Sequence, residues 1–418
     1  MNKKVFVYLE ACNRRALDAT KVIDYLSKNN YDIVDKPEHS DVILLFTCAT
    51  SDRDVLFSVR RVKEFQKYDA ELIVAGCLPS IEPDLLNQIF DGRTLKTKNL
   101  DSEVESLFPP KENIKFNSIK EANMCFQNFN KRNPILIIRK TFERLPFIEK
   151  LYLYIESHIL KNLFGKHSLL YRFYSTKRDY FYVRVSRGCM GNCSYCGIKK
   201  AIGGLESKKI SDIIKEFKQG LAKGYKIFIL SSDDLGSYGL DIGSNLVELL
   251  DEITKIPDDF KIIIHSFSPR WMVKYIDGLE KIVKRNKIKN LEIPIQSGSR
   301  RILKMMRRFS DVEKVRSAFL RLKKANPSLV LNTDIIVGFP TESDEEFRKS
   351  LSFFEEINFS SGSIIGFSCK KGTDAEKIEP KISNEEILNR MKYAKKYLKR
   401  KEYGINSLSN TYFLFSKK

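Results

Sequence analysis

The sequence predicts an α/β protein built from a small, doubly wound α/β domain followed by a partial (βα)6 barrel of TIM type. Three observations carry this. Short apolar runs alternate with stretches of helical periodicity over residues 1–100 and again over 180–380. A segment of different composition separates the two blocks. The second block holds six such units, short of the eight of a full barrel.

In the first block, residues 4–10 read as a strand and residues 14–29 as a helix. Residues 41–47 form a continuous apolar run, as a buried parallel strand requires. A helix is expected over 53–67, a strand over 71–76 and a further helix over 81–91. Cys12, Cys48 and Cys77 each follow a strand and precede a helix. In an open α/β sheet the strands' carboxyl ends share one edge, where ligands bind, so three thiols are expected on one rim. Cysteines in apolar runs are also common as plain core residues, and position alone leaves both readings open.

Residues 101–179 differ. The stretch 111–180 has 14 Lys and Arg against 6 Asp and Glu, a net +8, with aromatic residues interleaved. Apolar residues at three-to-four spacing predict an amphipathic helix over 143–164. This connector reads either as a linker packed on the core or as a basic, aromatic surface for a nucleic acid or peptide.

In the second block, strands are expected at 180–186, 226–231, 261–265, 291–295, 330–336 and 362–368. The intervening helices are expected at 209–223, 243–254, 269–285, 299–305, 311–324 and 343–356. Residues 381–418 read as a basic closing helix over 384–402 with a short tail, and sheet formation is expected to end at Phe367.

Composition excludes several classes. With 42% apolar residues the chain can bury real cores, so disorder does not describe it as a whole. No apolar run spans a membrane, and the N-terminus lacks a signal peptide's apolar core, so a cytoplasmic protein with reduced thiols is expected. The net charge of +20 fits either solvated Lys-rich faces or a polyanionic partner.

The strongest motif is Arg187-Gly-Cys189-Met-Gly-Asn-Cys193-Ser-Tyr-Cys196, three thiols in one loop after a strand. Such a loop can hold three irons of a [4Fe–4S] cube and leave the fourth open. Tetrahedral zinc is better suited by paired cysteines on two sides, which are missing here. Gln296, Arg307 and Asp334 lie at strand ends or on the following segment, where barrel enzymes place functional groups. Gly338 reads as a backbone requirement, His265 as a satisfied polar residue, and Cys125 and Cys369 as ordinary thiols.

The loop resembles that of the radical S-adenosylmethionine (SAM) superfamily, and the whole layout resembles its methylthiotransferase branch. The contexts of Cys12, Cys48 and Cys77 match that branch, as do Ser232-Asp-Asp-Leu-Gly-Ser-Tyr-Gly239, Ile293-Pro-Ile-Gln-Ser-Gly-Ser299 and Thr333-Asp-Ile-Ile-Val-Gly-Phe-Pro-Thr-Glu342. The resemblance implies a flavodoxin-like N-terminal domain and a radical SAM TIM-type barrel. It implies two [4Fe–4S] clusters, one on Cys189, Cys193 and Cys196, where SAM is cleaved to a radical, and an auxiliary one on Cys12, Cys48 and Cys77. Tyr195 would lie against the adenine of SAM; Gln296, Arg307 and Asp334, from their strand-end placement, read either as holding its carboxylate or ribose or as structural residues. The implied reaction places a methylthio group at an unactivated C–H bond and calls for a sulfur source and an electron donor such as flavodoxin or ferredoxin. The likeness is to enzymes acting on threonylcarbamoyladenosine in tRNA, which implies 2-methylthio modification of a tRNA adenosine. The alternative is a peptide or protein side chain, including a ribosomally made natural product. Family members usually end in a small RNA- or protein-binding barrel called TRAM, for which residues after 402 are expected to be too few, and the connector here is enlarged.

Overall fold

The computed structural model describes residues 2–125 and 180–417. The helix expected over 143–164, and most of the connector, lie outside them.

The first sheet contains β1 (Lys4–Glu10), β2 (Asp32–Val34), β3 (Val42–Thr47), β4 (Glu71–Gly76) and β5 (Thr94–Lys96). All pairs are parallel, and the order is β2-β1-β3-β4-β5. This is the doubly wound order that places a ligand-binding crevice at the carboxyl ends of β1 and β3. Period-two alternation along the strands feeds two separate cores. Val5, Val7, Val42, Leu44 and Ile73 pack toward α1 (Asn13–Lys28). Phe6, Ile43, Leu45 and Val74 pack toward α2 (Asp52–Phe65). The helix expected over 81–91 is instead two short ones, α3 (Leu78–Ile81) and α4 (Pro83–Asn87), each with a proline in its first turn. The first core also takes in α5 (Leu100–Leu107), Phe116 and Ile119, so it extends past the point where the composition changes.

The second sheet has order β14-β15-β13-β12-β11-β10-β9-β6. Six parallel strands form the open barrel: β6 (Tyr180–Arg184), β9 (Ile227–Ser231), β10 (Lys261–Ile264), β11 (Ile288–Glu292), β12 (Val330–Val337) and β13 (Ser361–Gly366). A short ribbon, β7 (Ser186–Arg187) with β8 (Glu206–Ser207), follows β6. The sheet does not end at Phe367. After the helix Asn384–Arg400, β14 (Tyr403–Ser409) and β15 (Tyr412–Lys417) form a hairpin that adds antiparallel to β13. The signal was alternation: Phe413 and Phe415 turn into the core, with Leu414 between them. The helix expected over 269–285 breaks at Tyr275 into Pro269–Lys274 and Ile276–Val283.

The barrel's two faces differ in chemistry. Phe181, Val183, Phe228, Leu230, Ile262 and Ile264 turn outward under the helices. The alternate residues turn inward and become polar from β11 onward. Asn332 donates to Asn290 at 2.8 Å and accepts from Ser361 at 2.7 Å, while Ser363 donates to Asp334. TIM barrels are usually filled by apolar layers; from β11 onward this interior is lined by paired polar side chains instead.

The small domain docks through α1. Leu17 meets Tyr182 and Ile229 inside the barrel. Asp18 is 1% exposed and receives Arg184 at 2.5 Å and Arg187 at 3.0 Å, with Arg15 at 3.1 Å. Glu121 receives Arg187 at 3.0 Å and Lys21 at 2.9 Å. Burial alone would raise both carboxyl pKa values, but the surrounding cations outweigh it; Asp18 is held far below the usual range and Glu121 at about 2. A depressed folded-state pKa stabilises the fold above the unfolded value and is lost on acidification. Stability from Glu121 is therefore complete above about pH 4.5 and disappears as the pH falls toward about 2. Glu121→Gln should lose on the order of 3 kcal/mol at pH 7 and flatten the acid limb in that window, measured by urea unfolding at a series of pH values. An unchanged pH profile would contradict the assignment.

Candidate active site

The three N-terminal cysteines sit where β1, β3 and β4, neighbours in the sheet, deliver them. Cys12 is the N-cap of α1, Cys48 follows β3, and Cys77 follows β4. Gly76 precedes Cys77 at φ +95°, and a Cβ there would stand 2.4 Å from the Thr47 carbonyl oxygen, so only glycine allows β4 to approach β3 so closely. Cys12 is exposed; Cys48 and Cys77 are buried. Burial first, then the charge of Cys12 and its neighbours, pushes Cys48 up to about 12. Burial likewise pushes Cys77 up to about 11, against the pull of Arg15. Adjacent strand ends thus bring the three thiols to one rim of the sheet.

The second trio follows β7. Gly188 at φ +76° starts the loop, and a Cβ there would be 1.8 Å from the Gly204 carbonyl oxygen. The Gly191 amide donates to Cys189 Sγ at 3.2 Å, and the Ile198 and Lys199 amides favour the Cys196 thiolate. Burial dominates nevertheless: Cys189 is raised to about 12, and Cys196 is raised as well. Ser194 fastens the loop to the barrel, its Oγ donating to the Met305 carbonyl at 2.7 Å. Arg308 donates to Cys193 Sγ at 3.8 Å and to the Pro294 carbonyl at 2.7 Å.

One carboxylate joins the two regions. Asp233 accepts from the Gly188 amide at 3.0 Å, beside Cys189. It also faces Arg14 Nε at 3.3 Å, two residues from Cys12. Arg14 reaches on to the Ser232 carbonyl at 3.2 Å and Ser266 Oγ at 2.8 Å. The rim of the small sheet therefore faces the barrel's first cysteine loop across a short ionic bridge.

The remaining expected residues are placed as follows. Tyr195 lies partly buried with its ring edge toward Phe339, centroids 6.5 Å apart. Gln296 adopts φ +67°, and its Oε1 is buried without a partner among the described residues. Asp334 is raised to about 7 by burial and by Glu292. His265 pairs with Glu292 at 2.7 Å, so it is satisfied. Arg307 is exposed and pairs with Asp374 at 2.5 Å; its neighbour Arg308 is the arginine that faces the cysteine loop. Arg307 stands at φ +53°, so the chain reverses between the two side chains. Cys125 donates to the Asn13 carbonyl at 3.5 Å, and Cys369 is exposed on a loop. Arg14, Asp233 and Arg308 escaped sequence reasoning, although Asp233 lies inside a matched motif.

The donor chemistry fits iron–sulfur clusters: each trio consists of thiols alone, and three thiolates can take three irons of a cube. Amide donors to sulfur, and the buried acceptors Gln296 Oε1 and Asp234 Oδ1, fit a polar ligand beside the second trio.

Known proteins agree. The Radical SAM superfamily profile matches residues 183–354, and that of the uncharacterized protein family UPF0004 matches 4–95. A probable threonylcarbamoyladenosine tRNA methylthiotransferase of Pyrococcus horikoshii is 30% identical over 90% of this chain and 79% of its own length. The ribosomal protein uS12 methylthiotransferase RimO of Acetivibrio thermocellus is 29% identical over 91% of this chain and 79% of its own. Among solved structures, the radical SAM methyltransferase TsrM of Kitasatospora setae shares the fold, with a TM-score of 0.61 at 11% identity over 90% of this chain and 77% of that one. The chain belongs to the radical SAM methylthiotransferase family and is a transferase. Enzymes of this family use SAM and [4Fe–4S] clusters. Among the described residues no helix is long and apolar enough to cross a membrane.

Each trio should hold its own cluster. Anaerobically reconstituted Cys48→Ala and Cys193→Ala should each keep roughly half of the parent's iron and sulfide, and the double variant almost none. Loss of all iron from either single variant would show that the trios are not independent.

Proposed function

We propose that this chain replaces a C–H hydrogen of a tRNA adenosine by a methylthio group, at the threonylcarbamoyladenosine type of nucleoside. The observation that supports this most is the ionic bridge Arg14–Asp233–Gly188 between the two cysteine regions, beside a polar barrel interior. The names of the Pyrococcus horikoshii relative and of the 36% identical MtaB of Thermotoga maritima, matched over half of this chain, supply the substrate class. Cys189, Cys193 and Cys196 would hold the SAM-binding cluster, and Cys12, Cys48 and Cys77 the auxiliary one.

When bound, the clusters and SAM supply the radical and sulfur chemistry. The chain's own residues position and shield. Asp233 fixes the Gly188 turn against Arg14, which sets the spacing between the trios. Arg308 and the Gly191 amide offset charge on the Cys193 and Cys189 sulfurs. Gln296 Oε1 and Asp234 Oδ1 offer acceptors for hydroxyl or ammonium donors of a ligand. Leu17, Tyr182 and Ile229 close one wall with apolar contact and keep water out.

A second reading, transfer to a protein or peptide side chain, is favoured by the RimO relatives at 29% identity. Reconstituted protein given SAM, reductant and a sulfide source, with total tRNA or candidate peptides, separates the two by mass spectrometry. The tRNA nucleoside should gain CH3S in place of H; the same gain on a peptide alone would overturn the tRNA reading. Asp233→Asn should still form 5′-deoxyadenosine from SAM but lower methylthio product by at least about tenfold, because small misplacements of reacting groups are costly. Equal losses in both products would contradict a positioning role.

A further inference from the structure

The helix Asn384–Arg400 carries Lys392, Lys395, Lys396, Lys399 and Arg400 on one face, where they line a single shallow groove. Their three- and four-residue spacing stacks them in a stripe. Among the described residues none of the five forms an ion pair; the pairs of this region belong to Arg390 and, just past the helix end, Lys401. The helix Val312–Ala325, by contrast, pairs its two arginines with carboxylates. Arg316 meets Glu313 at 2.5 Å and Arg321 meets Glu280 at 2.5 Å.

Folding does not call for this stripe. Lys392 with Lys396, Lys395 with Lys399 and Lys396 with Arg400 are like charges four apart, which oppose helix formation. Only Lys399 and Arg400 lie in the last turn, where the helix dipole favours cations. Lys395 also covers the Phe413 ring at 5.3 Å. The opposite face, with Ile387, Met391, Ala394 and Leu398, is buried against the barrel, so no apolar flank remains to enter a membrane.

The helix starts at the barrel mouth. Ile387 lies over Gly338, just past the carboxyl end of β12, and Arg390 pairs with Glu342 at 3.1 Å. The stripe begins two residues later and runs away from the mouth for about 12 Å at 1.5 Å per residue. Tyr393, 41% exposed, stands beside it.

We infer that this stripe grips the sugar–phosphate backbone of the RNA whose target nucleoside enters the barrel, an inference that rests on the tRNA reading above. The test uses the full chain with total tRNA over a series of NaCl concentrations. The variant K392Q/K395Q/K396Q/K399Q/R400Q should bind at least about tenfold more weakly near 100 mM salt. Its plot of log affinity against log salt should flatten by roughly 0.7–0.9 per lost phosphate contact. Its 5′-deoxyadenosine formation without RNA should match the parent's. If the fivefold variant fails to fold, Lys396→Glu alone should still weaken binding severalfold. Parent-like affinity and slope in the variant overturn the stripe alone. A parent that binds no tRNA overturns the stripe and the tRNA reading together. Stripe-dependent binding to phosphatidylserine vesicles in place of tRNA overturns the RNA assignment.

Discussion

The architecture depends on how α1 of the small domain is held inside the open barrel. Three carboxylates do this: Asp18 and Glu121 meet Arg184 and Arg187 of the barrel, and Asp233 of the barrel meets Arg14, while Arg15 and Lys21 add pairs from α1 itself. Asp18 has almost no exposure in this docking, and losing Arg184 and Arg187 would leave only Arg15 of its own helix as its partner. On the opposite rim, Lys370 pairs with Asp52 at 3.0 Å and Lys371 with Asp84 at 2.6 Å. The small domain is thus fixed at two edges, and the cysteine rim between them has one orientation.

That orientation gives meaning to the barrel's polar interior. Asn290, Asn332, Ser361, Ser363 and Asp334 would be poor core residues, yet they satisfy one another in pairs along adjacent strands. These five side chains are paired with one another, Gln296 Oε1 and Asp234 Oδ1 remain as buried unpartnered acceptors, and the outward strand residues supply the apolar core.

Much of this was legible in the sequence. The six cysteines stood out because three share one loop and three follow strands, and five of the six barrel strands lie within a residue or two of the expected positions, whereas β11 lies at Ile288–Glu292 instead of 291–295 because polar residues interrupt it. The hairpin at Tyr403–Lys417 was missed because its strands are half polar and its turn is short, although the Phe413 and Phe415 alternation was there to read. Arg14 and Asp233 could not be paired from sequence, since neither residue type nor spacing points from one to the other. Arg307 and Arg308 are indistinguishable by type and spacing, and the left-handed residue Arg307 at the helix end sends one to Asp374 and the other to Cys193. Of the net charge of +20, the sequence placed +8 in 111–180, most of which lies outside the described residues; the structure adds an unneutralised share in the stripe on the last helix.

If each cysteine trio holds a cluster, the two clusters face one another across the Arg14–Asp233–Gly188 bridge. Electron paramagnetic resonance of the fully reduced, reconstituted protein tests this directly, alongside variants that retain only one cluster each. Clusters that face one another will couple magnetically, so the parent spectrum and its relaxation should differ from the sum of the two single-cluster spectra. A parent spectrum equal to that sum would mean that the trios stand apart, and the account would fail.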